Sequence, residues 1–136
     1  MIEAIQISDA MREQLSQEAR DALPRECCGL IEGVRDGVIV KIAQLHATPN
    51  LARELDRFEI DPAIRFALMR SLRGTAREIV GCYHSHPNGR AEPSARDLAE
   101  AGEPGFVWLI VAVSGEALSI ATHVYEGRAF RKLAVV

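Results

Sequence analysis

The sequence of 136 residues contains few cysteines and few aromatic residues. Only three cysteines occur, Cys27, Cys28 and Cys82, and none of them belongs to a Cys-x-x-Cys pair. An odd number of cysteines, two of them adjacent, is a poor disulfide framework, and the missing Cys-x-x-Cys pair argues against a zinc site built from thiolates. We therefore expect reduced thiols that are buried as small apolar residues.

The chain also lacks an excess of positive charge and any long apolar run. Sixteen basic and nineteen acidic side chains give a formal net charge of −3, which argues against non-specific binding to nucleic acid. The longest apolar run, Phe106 to Val113, is far shorter than the ~20 residues of a membrane-spanning helix. The first residues lack the basic segment and apolar core of a signal peptide. We expect a cytoplasmic protein with no nucleic-acid or membrane partner.

What the chain does contain is an ordinary globular composition, with 48% apolar and 26% charged residues. Its length suits one domain over residues 1–136. Helical spacing and end signals predict a first helix from about Ser8 to Leu23, a second over 62–73 that begins after Asp61, and a short third helix from Ser94 to near Gly102. The oligomeric state cannot be inferred from the sequence.

Six apolar or alternating segments predict strands. They are Cys27 to Gly33, Val38 to Leu45, Glu78 to His84, Phe106 to Val113, Ala117 to Tyr125 and Ala129 to Val135. A long loop is expected from His46 to Ile60. Together these segments predict an α/β fold in which a single mixed β-sheet is flanked by about three helices.

Two histidines stand at the end of the third predicted strand. His84 and His86 are two residues apart, so their side chains point to the same side of the sheet and can converge on one ion. Asp97 follows one helical turn after Ser94, where the chain returns. Two imidazoles and one carboxylate form a ligand set that suits one Zn²⁺ and leaves a fourth position for water.

Two further residues could complete a hydrolytic site. Glu26 lies at the start of the first predicted strand and is a candidate general acid/base, because a carboxylate beside metal-activated water can take its proton and pass it to the leaving amine. Ser94 could donate a hydrogen bond to a tetrahedral oxyanion.

Each of these residues also has a purely structural interpretation. Ser94 and Asp97 have the spacing of a helix-capping box, and both roles can hold together. Taken alone, Glu26 would be interpreted as a surface acid beside Arg25. His46 and His123 lack ligand-like spacing to any partner and are expected to be loop and strand histidines.

The full pattern resembles the JAMM motif of the MPN-type (JAB domain) zinc metalloproteases. That motif is a glutamate followed later by His-x-His-Pro, six residues and Ser-x-x-Asp, and it is complete here: Glu26, His84, His86, Pro87, Ser94 and Asp97. The segment Glu26-Cys27-Cys28-Gly29-Leu30 resembles the glutamate strand of the family. The resemblance covers residues 5–125 and is highly specific, because two distant segments agree with it.

The resemblance implies an MPN/JAB-type fold with a cytidine-deaminase-like layout and a zinc-dependent peptidase or isopeptidase activity. His84, His86 and Asp97 would bind zinc with water as the fourth ligand, Glu26 would be the general acid/base, and Ser94 would stabilise the oxyanion. The short chain is similar to the small stand-alone prokaryotic members, which are linked to ubiquitin-like sulfur-carrier proteins. The C-terminal tail of such a carrier is therefore the expected substrate.

Two other functions compete with this one. A non-catalytic MPN-type scaffold would bind a ubiquitin-like partner without cleaving it, but every ligand position of the motif is filled here. A zinc nucleobase deaminase would require His-x-Glu and Pro-Cys-x-x-Cys, whereas this chain has His-Ser-His and no such cysteine pair.

Overall fold

The computed structural model describes residues 1–136 and contains seven strands and three helices. In chain order they are β1 (Ala4–Gln6), α1 (Asp9–Ala22), β2 (Cys28–Asp36), β3 (Ile39–Thr48), α2 (Pro62–Ser71), β4 (Glu78–His86), α3 (Ala95–Glu100), β5 (Val107–Ser114), β6 (Ala117–Tyr125) and β7 (Phe130–Val135). None of the helices is long and apolar enough to cross a membrane.

The strands form a closed barrel in the order β1-β3-β2-β4-β5-β6-β7. The predicted mixed sheet and the three helices are confirmed, because β4 and β5 are parallel whereas β2 and β4, and β5 and β6, are antiparallel. The single sheet closes into a barrel, which the sequence analysis did not predict. Strand β1 pairs in parallel with both β3 and β7 and thereby joins the two edges. At three residues, β1 is too short to show a periodic pattern in the sequence.

The concave side of the sheet is filled by α1 and apolar strand residues. Leu15 and Ala19 of α1 are fully buried there, and Arg20 in its last turn donates to backbone carbonyls of the β5–β6 turn. Ser8, the predicted start of the helix, is its N-cap, and its Oγ accepts the N–H of Met11. This layer is the larger of two cores and consists of sixteen buried residues, among them Ile31, Tyr83 and Leu109.

A second core lies on the outer face of the sheet. Phe58, Cys82 and Trp108 belong to it, and α2 covers them with the partly buried Ile64 and Leu68. Asp61 caps α2 and Pro62 takes its first position, as predicted. This outer layer adjoins the end of β4, where the histidines lie.

Three strands continue beyond their predicted ends. Strand β2 reaches Asp36 rather than Gly33, because its last residues pair with the start of β3. Strand β4 continues through His86, because Ser85 and His86 pair with Val111 and Ala112 of β5. Strand β3 likewise continues to Thr48 along β2, so the irregular segment begins later than His46. Pairing with distant strands outweighs the local turn preference of Pro87 and its neighbours.

Gly29 of β2 is required by a close contact with the neighbouring strand β4. A Cβ atom at this position would lie 2.3 Å from the Tyr83 ring and 2.4 Å from the backbone oxygen of His46. The absence of a side chain lets the Tyr83 ring cross β2, and its hydroxyl donates to Glu18 of α1 over 2.7 Å. This packing fixes the inner face of β4 immediately before His84.

Candidate active site

The two histidines at the end of β4 lie on one face of the sheet, as their spacing predicts. His84 and His86 are both buried, and their Nε2 atoms are 2.9 Å apart. Ser85 between them faces the opposite side, where its Oγ accepts a hydrogen bond from the N–H of Cys27 over 2.8 Å. That bond ties β4 to the segment that carries Glu26.

Asp97 reaches the histidines from the first turn of α3. The helix begins with a capping box: Ser94 Oγ accepts from the Asp97 N–H over 3.0 Å, and Asp97 Oδ2 accepts from the Ser94 N–H over 2.9 Å. The same Oδ2 atom lies 3.1 Å from His84 Nε2 and 3.2 Å from His86 Nε2. Capping therefore fixes the position of the carboxylate at the site.

Hydrogen bonds alone do not satisfy the three facing atoms, which are His84 Nε2, His86 Nε2 and Asp97 Oδ2. His86 Nδ1 lies 2.7 Å from the carbonyl oxygen of Arg90, and in the neutral ring its proton is donated there, which leaves a lone pair on Nε2. In the neutral ring that lone pair faces the carboxylate oxygen of Asp97 and the second imidazole, and only the protonated ring can donate to Asp97 through Nε2. A cation at the centre of the group would turn this repulsion into attraction.

The geometry and chemistry of the group fit zinc. The donor atoms of His84, His86 and Asp97 are separated by 2.9–3.2 Å. Bonds of ~2.0–2.1 Å in a tetrahedral zinc site place ligand atoms about 3.3 Å apart, so only a small adjustment is needed. The Arg90 carbonyl that fixes the tautomer of His86 is the kind of outer contact that metal-binding histidines make.

Burial and mutual hydrogen bonding shift the pKa values of the three ligand candidates. Burial lowers the pKa of His84 below its usual value. Burial acts in the same direction on His86, but hydrogen bonds to Asp97 and to the Arg90 carbonyl outweigh it and raise the pKa. Burial would raise the pKa of Asp97, yet hydrogen bonds from both imidazoles hold it far below its usual range. Asp97 is therefore ionised at neutral pH.

Glu26 lies just before β2, beside this group. Its side chain is buried, and its Oε1 atom is buried without a hydrogen-bond partner. Burial raises the pKa of Glu26 to about 7, with the charge of His86 acting against the rise and that of Asp97 adding to it. A carboxyl group with this pKa can both accept and donate a proton at neutral pH.

The hydroxyl of Ser94 takes part in the helix cap as an acceptor only. Its oxygen accepts the Asp97 N–H, so the hydroxyl proton is not used by the cap and remains free to donate. Ser94 is exposed at the start of α3, although it adjoins the buried Asp97. The five residues singled out from the sequence thus come from three separate segments of the chain and surround one end of β4.

Asn50 and Phe58, two residues of the segment between β3 and α2, support the site. The Asn50 amide donates to the backbone oxygens of Glu26 and Arg57, and its Oδ1 accepts the N–H groups of Ala52 and Glu59. Phe58 stacks on the His84 imidazole. The only sequence signal here is that Asn50, Phe58 and Asp61-Pro62 resemble the segment before the family's second helix, and this resemblance assigns no roles to the side chains.

The cysteines and His123 lie in the kind of environment that the sequence predicts, whereas the expectation that His46 lies in a loop is wrong, because β3 continues through it to Thr48. All three cysteines are free and buried, and burial raises the pKa of Cys27 to about 12. His46 is in β3 and contacts Glu32, while His123 is in β6. Neither histidine belongs to the group of possible metal ligands.

Comparison with known proteins identifies the class of this domain. A mixed barrel with two histidines and one aspartate at a strand end is the arrangement expected of an MPN/JAB-type domain. Residues 8–131 match the family described as prokaryotic homologs of the JAB domain, and the chain belongs to this family.

Individual relatives extend the match over almost the whole chain. A desampylase of Haloferax volcanii is 32% identical over 137 aligned residues, which cover 91% of this chain and 95% of that protein. A probable TtuB-protein conjugate cleaving protease of Thermus thermophilus is 35% identical over 94 residues, which cover 66% of this chain and 55% of that protein.

Solved structures show the same fold. The solution structure of a Desulfitobacterium hafniense protein has a TM-score of 0.83 at 27% identity, and the match covers 98% of this chain and 91% of that one. The crystal structure of a JAB1/MPN domain protein from Archaeoglobus fulgidus has a TM-score of 0.57 at 20% identity, covering 99% and 98%. The latter likeness concerns the fold alone.

Proposed function

We propose that this chain is a zinc-dependent isopeptidase that hydrolyses an amide bond at the C-terminal tail of a ubiquitin-like protein of the sulfur-carrier type. We also propose that residues 1–136 form one catalytic domain, which the family match over 8–131 supports. The observation that carries the proposal is the convergence of His84, His86 and Asp97 within 3.2 Å of one another, at a site that also includes Glu26 and Ser94.

The ligand roles follow from the chemistry of the group. His84, His86 and Asp97 would hold one zinc ion per chain, with water in the remaining position. Bound zinc supplies a water of pKa about 7 and polarises a carbonyl. Asp97 keeps its charge at neutral pH and is held in place by the cap of α3, so this ligand is ready before the metal arrives.

Glu26 would move the proton. With a pKa of about 7, its carboxylate can accept a proton from the attacking water and return it to the leaving nitrogen. The unpartnered Oε1 atom leaves that oxygen free for this exchange. Asn50 donates to the backbone oxygen of Glu26, and Ser85 accepts the N–H of the next residue, so the backbone that carries the carboxylate is held on both sides.

Ser94 would stabilise the oxyanion. Its oxygen is fixed by the Asp97 N–H, and its free proton would donate to the carbonyl oxygen as negative charge develops there. Because the same bond caps α3, the donor needs no rearrangement during the reaction.

A ubiquitin-like tail would bind extended along the outer edge of β3. Strand β1 covers only Ile39–Lys41 of this edge, so most of β3 has backbone groups without a strand partner there. The end of this edge adjoins a cavity of about 460 Å³ with Glu26, Cys28 and Thr48 in its wall. Backbone pairing along an edge is a common way to bind an extended peptide, and small residues such as glycine would suit the approach to Glu26.

The relatives support hydrolysis over a purely binding role. One is named a desampylase and another a probable protease that cleaves TtuB-protein conjugates. A non-catalytic scaffold would have no need for a complete set of ligand, acid/base and oxyanion residues, whereas all five are present here.

Cleavage of a defined substrate tests the proposal. Zinc-loaded protein is incubated with ubiquitin-like sulfur carriers that bear a C-terminal extension or a conjugated protein, and the products are measured by mass spectrometry. We expect a carrier that ends at its natural C-terminus and a released partner with a free amine. No mass change across the full set of carriers from the source organism would overturn the proposal, and Glu26→Gln is the matched inactive control.

A further inference from the structure

Next to Ser94 is a second cavity, and apart from Ser94 itself none of its lining residues has a role in the proposed reaction. Its volume is about 450 Å³, and it lies between the start of α3 and the strands β6 and β7. Ser94, Pro93 and Leu98 form one wall, and Phe130, His123 and Lys132 form the other. We call it the His123 pocket.

His123 is an unsatisfied polar group in this pocket. Only 7% of the residue is exposed, and its Nδ1 atom is buried with no hydrogen-bond partner. Because no acceptor faces Nδ1, the neutral ring favours the tautomer with its proton on Nε2. The rings of Phe130 and His123 meet in a T-shaped arrangement, with 6.3 Å between their centroids. The Nε2–H is then the donor available to an occupant.

Lys132 provides a positive charge directly beside this ring. The two residues are cross-strand partners of β6 and β7, which places their Cβ atoms about 5 Å apart on the same face. The Lys132 ammonium forms no ion pair within the protein. Burial, and next the charge of Lys132, lower the pKa of His123, which keeps the ring neutral near neutral pH, with Glu92 acting in the opposite direction.

The pocket therefore offers two donors on a rigid sheet and one carboxylate on a loop. Glu92 lies in the segment before α3, is exposed, and lines both this cavity and a smaller neighbour with Arg90 and Lys132. Strand pairing fixes the backbone of His123 and Lys132, and the imidazole is buried, whereas the Lys132 and Glu92 side chains are both exposed. A group that accepts hydrogen bonds and carries negative charge would match the imidazole and the ammonium.

We propose that the His123 pocket is a carboxylate-binding subsite for the part of the substrate that lies beyond Ser94. The cavity near Glu26 and the His123 pocket share no lining residue, and each contains one of the two residues assigned to the reaction. A substrate that reaches both Glu26 and Ser94 therefore borders both cavities. With the tail in the first, the leaving group enters the second. The role of the His123 pocket in cleavage rests on the proposed function, whereas its binding of a carboxylate does not.

A titration of the histidine rings tests this subsite without any cleavage. The chain has four histidines, so a ¹⁵N spectrum of the rings in the zinc-loaded protein has few signals. Three probes are added in separate experiments. N-acetylglycine carries a terminal carboxylate, N-acetylglutamic acid α-amide carries a side-chain carboxylate, and N-acetylglycinamide carries neither.

We expect the His123 signals to shift saturably with at least one carboxylate probe and not with N-acetylglycinamide. The probe that binds more tightly distinguishes a free chain terminus from an acidic side chain. Lys132→Gln should weaken the binding about tenfold, because it removes one charge-assisted contact. Lys41→Gln, which alters the only other lysine, should leave the binding unchanged.

Three results would overturn the subsite. They are an equal response to N-acetylglycinamide, unchanged binding in Lys132→Gln, and shifts confined to His84 and His86, which would place the carboxylate at the metal instead. Because the titration reports binding alone, a protein that cleaves no carrier can still show the subsite, so the two proposals fail separately.

Discussion

The ring of Phe58 lies nearly parallel to the imidazole of His84, with 4.3 Å between the ring centroids and 20° between the planes. Trp108 meets both rings edge-on. His84 has no hydrogen-bond partner at Nδ1, so aromatic packing replaces the outer hydrogen bond that orients His86 through the Arg90 carbonyl. The two histidines of the site are thus held in place by different means.

Replacing Phe58 by leucine tests this packing. Phe58→Leu keeps an apolar side chain in the outer core but removes the stacked ring, so His84 loses its orientation. We expect zinc affinity to fall about tenfold, the lower end of the effect of removing an outer contact to a metal ligand. Competition with a chromophoric chelator measures this affinity.

Phe66→Leu is the matched control. Phe58 and Phe66 both border an apolar cleft of about 480 Å³ beside α2, but Phe66 is exposed. Phe66→Leu should leave zinc affinity unchanged. Equal affinities for Phe58→Leu and the unaltered protein would show that His84 needs no aromatic support.

A substitution at Glu26 distinguishes proton transfer from metal binding. Glu26→Gln keeps the shape of the side chain but cannot take up a proton. We expect zinc content to stay at one equivalent while kcat/KM for carrier cleavage falls by about 10²–10⁴-fold. Elemental analysis and a cleavage assay on the same preparation give both numbers. Full activity of Glu26→Gln would remove Glu26 from the mechanism.

Ser94 combines a cap and a proposed oxyanion donor, and two substitutions separate these roles. Ser94→Ala loses both and should cost about 1 kcal/mol of stability. Ser94→Gly should cost only about a few tenths of a kcal/mol, because glycine is tolerated at this position. Both variants should lower kcat about 10²–10³-fold, because neither has a hydroxyl.

Thermal unfolding and single-turnover kinetics on the same samples check this expectation. If Ser94→Gly kept the unaltered kcat, the hydroxyl would serve the helix alone.

The pKa of Glu26 predicts how the stability of the metal-free protein depends on pH. Burial raises this pKa from its ordinary value of 4.5 to about 7, so the folded chain binds an extra proton between these values. The contribution of Glu26 to the free energy of unfolding is therefore complete below pH 4.5 and is lost as the pH rises through about 7.

Denaturant unfolding of chelator-treated protein at pH about 5 and about 8 measures this contribution when it is compared with Glu26→Gln, which cannot titrate. The unaltered protein should lose more stability than Glu26→Gln over this range. The comparison matters because His86, whose pKa is also raised, contributes in the same direction to both proteins. Parallel curves would show that Glu26 titrates normally.

Most of the fold could be predicted from local signals in the sequence. Ser8 and Asp61 mark helix starts, and the apolar run from Phe106 marks the buried strand β5. Barrel closure could not be predicted, because it depends on a three-residue strand that pairs with partners far away in the sequence. The extension of β4 through His86 could not be predicted either, because it depends on pairing with the distant strand β5.

The residues of the site likewise differ in whether local sequence spacing predicts their positions. His84, His86 and Asp97 have spacings that reflect strand and helix geometry, so the sequence alone predicted that they meet, and the structure brings them within 3.2 Å. The contacts of Phe58 and Asn50 arise from a segment without regular structure. Only tertiary packing determines where such side chains point.

The position of a bound zinc ion tests the central claim most directly. Diffraction data collected on either side of the zinc absorption edge, from crystals of the zinc-loaded protein, locate the ion without reference to activity. We expect one anomalous peak per chain, within bonding distance of His84 Nε2, His86 Nε2 and Asp97 Oδ2 together. A fully loaded protein whose only peak lies elsewhere, or touches fewer than these three atoms, would contradict the account.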